Sequence, residues 1–219
     1  MPTKQQRDTA LIQAPQLPKK PAATALPDAA MIDHGSYTDL ALANLDLTDQ
    51  AADDVLFERV QLKRVLLSRT RLHGSQLLDV RFDVCDFTGA EWEKPHLSRI
   101  VAVGCRMLGT KLFEAKIDNA LLKDCNAAYA VFWSAMFQAT RFEHCTFREA
   151  SFQGADLSGV VFDGCDLTGA DFRETKLVGT DLRGSKLDGL RVGIKELQGA
   201  IIDATQAVHL VTLLGITVK

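Results

Sequence analysis

The chain has 219 residues, of which 47% are hydrophobic and 24% are charged, and its formal net charge is −3. This composition is typical of one globular domain with an extension. The chain has 25 Lys and Arg against 28 Asp and Glu, so it lacks the basic excess of a general nucleic-acid binder. No apolar run approaches the ~18 residues of a membrane span and no secretory signal is recognised at the N-terminus, so we expect a cytoplasmic protein that binds neither membrane nor nucleic acid.

The N-terminal segment is rich in proline. Five of the six prolines lie within the first 27 residues, among Ala, Gln and Lys. Such a segment buries too little apolar surface to offset the entropy lost on ordering. The sequence therefore predicts a flexible Pro-rich tail over residues 1–35, and a passive extension is favoured over a binding motif.

A five-residue repeat follows the tail. From Phe57 to Leu187 every fifth residue is a repeat centre, and 22 of these 27 centres are Leu or Phe. The residue two before each centre is small or β-branched, as in Val80, Cys85 and Ala90. Helices repeat at 3.6 residues and strands at 2. A period of five indicates a coil that turns a corner every five residues and points one large and one small side chain inward.

The cysteines show how many sides a coil has. Cys85, Cys105, Cys125, Cys145 and Cys165 are each 20 residues apart in the small register. Four sides of five residues give this spacing and stack the thiols as an interior ladder. We expect buried, inert thiols rather than disulfides, because free Cys is a buried residue type and the expected compartment is reducing.

Catalytic patterns are not found in the sequence. No phosphate-binding Gly loop, G-x-S-x-G elbow or C-x-x-C pair occurs, and no two of the five histidines have ligand spacing. A regular coil also lacks the concave pocket that catalysis usually needs. We therefore expect a protein that is not an enzyme, with no catalytic residue, metal or cofactor.

The later repeats resemble a known family. The run from Ala155-Asp156-Leu157-Ser158-Gly159 to Asp181-Leu182-Arg183-Gly184-Ser185 is similar to the A-D/N-L-x-x signature of pentapeptide-repeat proteins, and the resemblance covers about residues 40–205. It implies an all-β solenoid, a right-handed quadrilateral β-helix, which we place at residues 36–202.

A short C-terminal α-helix is predicted after the repeats. Asp203 and Gln206 have capping-box spacing, and Gly215 stands where a C-terminal cap is expected. Residues 203–219 are thus predicted to seal the last coil. The alternative is a homodimer interface, for which the apolar candidates are Ala207, Leu210, Val211, Leu214 and Ile216.

The C-terminal segment resembles one subgroup of this family. Leu197–Asp203, followed by Gln206-Ala207 and Leu210, is similar to the C-terminal module of the Qnr and MfpA-type quinolone-resistance subgroup. The resemblance implies a head-to-head homodimer that binds DNA gyrase or topoisomerase IV as a mimic of duplex DNA. Some members protect the drug-poisoned enzyme with projecting loops. The five-residue repeat runs without interruption from residue 57 to residue 187, which predicts that no such loop is present and argues against strong drug protection.

Charge varies along the repeats. Residues 55–106 carry a net charge of +3 and residues 149–188 carry −4. A DNA mimic presents acidic groups to a basic DNA-binding surface, and a solvated mixed-charge face is the alternative. The predicted acidic partner-binding surface consists of Asp156, Asp163, Asp166, Asp171, Asp181 and Asp188.

A second hypothesis rests on outward-facing apolar residues in the middle coils. The candidates are Phe113, Leu121, Val131, Trp133 and Met136. Grouped exposed aromatic residues mark binding patches, which would suit a structural or scaffolding module with an unknown protein partner. The alternative is that Phe113 and Trp133 cover a packing irregularity near Ala102 and Ala127.

Overall fold

Twelve short strands and one helix make up the described part of the chain. The computed structural model of the protein describes residues 12–21 and 30–213. The elements are β1 (Ser36–Thr38), β2 (Ala41–Ala43), β3 (Ala51–Asp53), β4 (Leu56–Lys63), β5 (Arg71–His73), β6 (Gln76–Asp83), β7 (Glu91–Glu93), β8 (His96–Val103), β9 (Lys111–Phe113), β10 (Lys116–Lys123), β11 (Met136–Glu143), β12 (Val161–Asp163) and α1 (Ala204–Leu213).

All strand pairs are parallel. One sheet runs β1-β4-β6-β8-β10-β11-β12, with β2 also on β4, and a second runs β3-β5-β7-β9. Every pair joins residues 20 apart, and one ladder has eight rungs at Ser36, Leu56, Gln76, His96, Lys116, Met136, Asp156 and Lys176. At about 4.8 Å per rung the ladder is about 34 Å long. The predicted solenoid with 20-residue coils and a short C-terminal helix is confirmed.

Each coil has four sides, which we number by their inward centres. Side 1 contains Phe57, side 2 Leu62, side 3 Leu67 and side 4 Leu72, each with its equivalents 20 residues away. The corner between two sides lies two residues after each centre. From His34 to Gly189, every residue at this position has a positive φ, whether or not it is glycine. The left-handed conformation turns the chain, and a bond such as that from Thr70 N–H to Leu67 O (3.3 Å) closes the tight turns.

The core is the inside of the coils. The large register is buried from Tyr37 to Leu187, and the small register is buried from Val55 to Leu190. Phenyl rings stack along the axis, as in Phe132 and Phe152 with centroids 4.8 Å apart. Buried hydroxyl groups donate to the backbone, as Thr180 Oγ1 does to Leu157 O (2.7 Å). Packing is imperfect at Ala102, where a small centre leaves an apolar cavity of about 50 Å³.

Helix α1 closes the C-terminal end of the solenoid. Asp203 N–H donates to Gln206 Oε1 (2.9 Å) and Gln206 N–H donates to Asp203 Oδ1 (3.0 Å), which is the reciprocal capping box that the sequence predicts. Gln206 is buried, and its Nε2 also donates to Leu182 O (2.6 Å) and Ser185 O (2.7 Å). The cap therefore also fixes the helix to the last complete coil. Gly215 lies outside the described residues.

The N-terminal residues differ from the expected passive tail where they are described. Residues 12–21 lie against the solenoid, bonded to it through Gln13 and Gln16. Met31 is buried in the core cluster and its N–H donates to Gln50 Oε1 (2.8 Å), so packing begins before residue 36. No helix of the described residues is long and apolar enough to cross a membrane.

Candidate partner-binding surfaces

The six predicted acidic residues do not form one surface. The 20-residue coil distributes them over all four sides: Asp156 on side 1, Asp163 and Asp181 on side 2, Asp166 and Asp188 on side 3, and Asp171 on side 4. A partner that approaches one side therefore meets only one or two of them. This distribution corrects the prediction of a single acidic surface. Residues that are close in sequence lie on different sides of the coil, so the net charge of a sequence segment does not give the charge of any one side.

Several of these carboxylates are also ion-paired. Asp171 Oδ2 lies 2.6 Å from Arg173 Nη2, and Asp181 Oδ2 lies 2.6 Å from Arg183 Nη2. Both aspartates are buried, and the hydrogen bond from the Arg173 guanidinium lowers the pKa of Asp171 below its usual value. Asp163 is paired in the same way with Arg141 (2.6 Å). Paired cations reduce the negative potential that these groups project into solvent.

Opposite charges alternate along the solenoid axis. At the corner between sides 1 and 2, Asp39 Oδ1 pairs with Arg59 one coil later at 2.6 Å. On side 4, Glu91 pairs with Lys111 one coil later at 2.5 Å. Such axial pairs give the described sides a mixed charge, as the alternative interpretation of the sequence expects.

Four of the five apolar candidates lie together. Phe113, Val131 and Trp133 are on side 4, and Met136 follows across the corner at Ser134. Trp133 and Met136 are 47% and 52% exposed, and they line one shallow depression with Glu114 and Lys116. Leu121 is on side 2, opposite side 4, and does not belong to the group. We call Tyr129, Val131, Trp133 and Met136, with Phe113 one coil earlier, the apolar strip.

The packing irregularity does not account for the apolar strip. The cavity at Ala102 is lined by inward side chains such as Met107, Leu112 and Phe132. Phe113 and Trp133 are not among its lining residues, and Trp133 faces solvent. The strip is thus an outer feature of the coil.

The predicted dimer residues are divided between the core and the surface. Leu210 is buried and packs into the core of its own chain, so its assignment to the dimer interface is wrong. Ala207 and Val211 are half-buried, and Leu214 and Ile216 lie outside the described residues. Helical periodicity shows that Leu210 is on an apolar face but does not tell which apolar surface covers it.

The C-terminal end exposes other apolar side chains that the sequence analysis missed. Ile194, Ile201 and Val208 are all exposed. The five-residue register could have identified Ile201 as exposed. Ile201 forms a β-bridge with Asp181 on side 2 and immediately precedes the centre Ile202, so its side chain is at an outward position. Together with α1, these three exposed residues belong to the last part of the described chain.

The cysteine ladder is a core feature. All five thiols are free and buried. Cys105 Sγ donates to Phe82 O (3.8 Å) and Cys145 Sγ to Leu122 O (3.4 Å). Hydrogen bonds with neighbouring thiols, together with burial, raise the pKa of Cys105 and of Cys145. In the described residues no group of three or more His, Cys, Asp or Glu side chains could hold a metal ion.

The four-sided parallel coil, built from units of five residues, resembles the β-helix of pentapeptide-repeat proteins. In agreement, the family model described as a pentapeptide repeat region matches residues 103–172. No curated protein matches the sequence.

Solved pentapeptide-repeat structures show a weak likeness. Full-length QnrB1, a plasmid-mediated fluoroquinolone resistance protein, is 18% identical over 83% of this chain and 100% of its own, with a TM-score of 0.31. Rfr23 from the cyanobacterium Cyanothece 51142 is 14% identical over 80% of this chain and 92% of its own, with a TM-score of 0.29. HetL from Nostoc sp. strain PCC 7120, involved in heterocyst differentiation regulation, is 22% identical over 78% of this chain and 90% of its own, with a TM-score of 0.23.

Proposed function

We propose that this chain is a non-enzymatic binding protein that engages DNA gyrase or topoisomerase IV in place of duplex DNA. The observation that carries the proposal is the uninterrupted rod. From β1 to the last coil each bridge joins residues 20 apart, so no insertion projects from this part of the rod. The resemblance of the C-terminal segment to the quinolone-resistance subgroup directs the proposal to a topoisomerase.

Doubling of the rod gives it the length of a DNA segment. One ladder is about 34 Å long, and two joined end to end with their C-terminal helices approach 80 Å. B-DNA rises 3.4 Å per base pair, so the dimer matches roughly 23 base pairs. This length suits a protein that occupies an extended DNA-binding surface.

The C-terminal end supports dimer formation through residues that differ from the predicted set. Ile194, Ile201 and Val208 are exposed, the last of them on α1, whereas Leu210 is used within its own chain. Burial of this apolar surface against a second copy would remove it from water at about 25 cal/mol per Å². We place the dimer contact at these three side chains, with Ala207 and Val211 next to them.

The mixed charge determines the expected strength of the association. Because Asp171 and Asp181 are already paired with arginines, attraction to a basic surface depends on more exposed carboxylates, such as Asp54 beside His34 and Glu93 beside His73. Attraction between exposed charges is screened by salt. We therefore expect modest affinity that falls as ionic strength rises.

Gyrase supercoiling, titrated with the full chain in the presence and absence of a fluoroquinolone, tests the proposal. We expect inhibition without drug, and a Val208→Asp variant should inhibit less because a charge at the C-terminal end opposes dimer formation. A Trp133→Ser variant is the matched surface control and should inhibit like the unmodified chain. Rescue of supercoiling in drug would establish a resistance protein without loops, and no effect with or without drug would contradict topoisomerase binding.

The apolar strip favours a second candidate function, a scaffolding module. Trp133 and Met136 expose large side chains beside one depression, which suits an apolar protein partner. Replacement of Phe113 and Trp133 by Ser should abolish such binding and leave topoisomerase inhibition unchanged. Binding through the strip should also resist salt, which distinguishes it from charge-dependent mimicry.

A further inference from the structure

The N-terminal segment is held on one corner of the solenoid by its main chain. Gln16 N–H donates to Asp79 Oδ1 (2.8 Å), and Gln13 N–H donates to Asn119 Oδ1 (3.2 Å). Asp79 and Asn119 both lie at the corner between sides 1 and 2 and are 40 residues apart, which is two coils. The segment therefore crosses from a later coil to an earlier one as the chain proceeds.

The spacing of these bonds fits an extended chain. Two coils rise about 9.6 Å, and three residues of polyproline II conformation rise about 9.3 Å. Pro15 and Pro18 restrict this segment toward that conformation. Residues 12–18 thus form an extended strap along the solenoid axis, with donors three residues apart matched to acceptors two coils apart.

Equivalent positions elsewhere on the rod show what the strap covers. The Asp79 side chain is 7% exposed in its pair with Arg99, and the Gln16 N–H lies on its Oδ1. Ser98 is 7% exposed, whereas Ser158, three coils later in the same outward row, is exposed. The covered area thus follows the line from Asp79 through Ser98 to Asn119.

The acceptors are held in place by the solenoid itself. Both oxygens of Asp79 accept bonds from Arg99, from Nε and Nη2 at 2.6 Å each. Asn119 Nδ2 donates to Asp118 Oδ2 (3.0 Å), which orients its Oδ1 for the strap. Gln13 and Gln16 are themselves exposed, so the site recognises main-chain N–H groups and an extended backbone rather than these two side chains.

We propose that the corner formed by Asp79, Ser98 and Asn119 is a binding site for an extended, proline-containing segment of a partner protein, and that residues 12–18 occupy it as a displaceable strap. Because recognition is through the main chain, other peptides with the same backbone conformation can bind, as in domains that recognise polyproline II segments. A tethered strap has a high effective concentration, so an external segment must compete with it. The inference stands apart from topoisomerase binding.

The test uses the full chain and a fluorescent peptide of residues 9–21 as the probe. In a Gln13→Pro/Gln16→Pro variant the strap loses both N–H donors while its extended conformation is kept. We expect the peptide to bind this variant at least about tenfold more tightly than the unmodified chain, because the tethered competitor is weakened. A Gln13→Ala/Gln16→Ala variant keeps both donors and should behave like the unmodified chain.

Two further measurements complete the test. A peptide that carries the same two prolines should not bind the proline variant, and amide exchange in residues 12–18 should be slower in the unmodified chain than in the free peptide. The proposal is overturned if the native peptide binds none of the chains, or binds all three equally. Loss of thermal stability in the proline variant without gain of peptide binding would show that the strap is only part of the fold.

Discussion

Val84 offers a direct test of how the corners are built. It stands at the corner between sides 2 and 3 with φ 56°, and it is 60% exposed. A β-branched residue in the left-handed region is strained, by roughly 1–2 kcal/mol. Val84→Gly removes this strain and sacrifices little packing, while the added freedom of glycine in the unfolded chain costs about 0.5–1 kcal/mol. We expect the free energy of unfolding to rise by about 1 kcal/mol.

Gly109→Val is the matched reverse change. Gly109 has φ 63°, and a Cβ atom there would meet nothing within 4 Å. The cost is then conformational, it is partly offset because the unfolded chain loses the freedom of glycine, and stability should fall by about 1 kcal/mol. Urea denaturation should show opposite midpoint shifts with unchanged slopes, and each kcal/mol corresponds to about 2–4 °C in melting temperature for a chain of this size. Destabilisation by Val84→Gly, or a neutral Gly109→Val, would refute the reasoning.

Three other changes test the core and the C-terminal end. Ala102→Val should fill the apolar cavity of about 50 Å³ and, at about 24 cal/mol per Å³, raise stability by up to about 1.2 kcal/mol; a lower urea midpoint would show that the cavity cannot accept the added methyl groups. The five buried thiols should react with a thiol reagent only after denaturation, and reaction in native buffer would contradict a sealed ladder. Leu210→Ala should lower the free energy of unfolding by about 2–5 kcal/mol, whereas Val208→Asp should lower the dimer fraction measured by sedimentation with little change in that free energy. The opposite result for the two variants would show that Leu210 forms the dimer contact and Val208 the core contact.

The repeat made the fold predictable because a single physical signal dominates it. A large side chain at every fifth position, as at Phe142 and Phe147, must point inward if the chain turns every five residues, and the 20-residue spacing of the cysteines gives the number of sides. The capping box at Asp203 and Gln206 was also readable, since both bonds join residues three apart. These features depend on local spacing alone.

The surfaces were less predictable because they depend on how coils stack. Asp156 and Asp171 are near in sequence but lie on different sides, and applying the 20-residue period to the charges would have shown this. Leu210 could not be assigned, because its own core and a second copy are equally apolar. The strap left no side-chain signal, since Gln13 and Gln16 bind through their main-chain N–H groups.

Displacement of a labelled DNA duplex from gyrase tests the central claim most directly, because a DNA mimic must compete for the surface that holds DNA. We predict that the full chain lowers the fluorescence anisotropy of gyrase-bound duplex in a concentration-dependent manner, and that higher ionic strength weakens this competition. Binding of the chain to gyrase with the duplex still in place, or no change in anisotropy at any concentration that the chain reaches in solution, would contradict DNA mimicry.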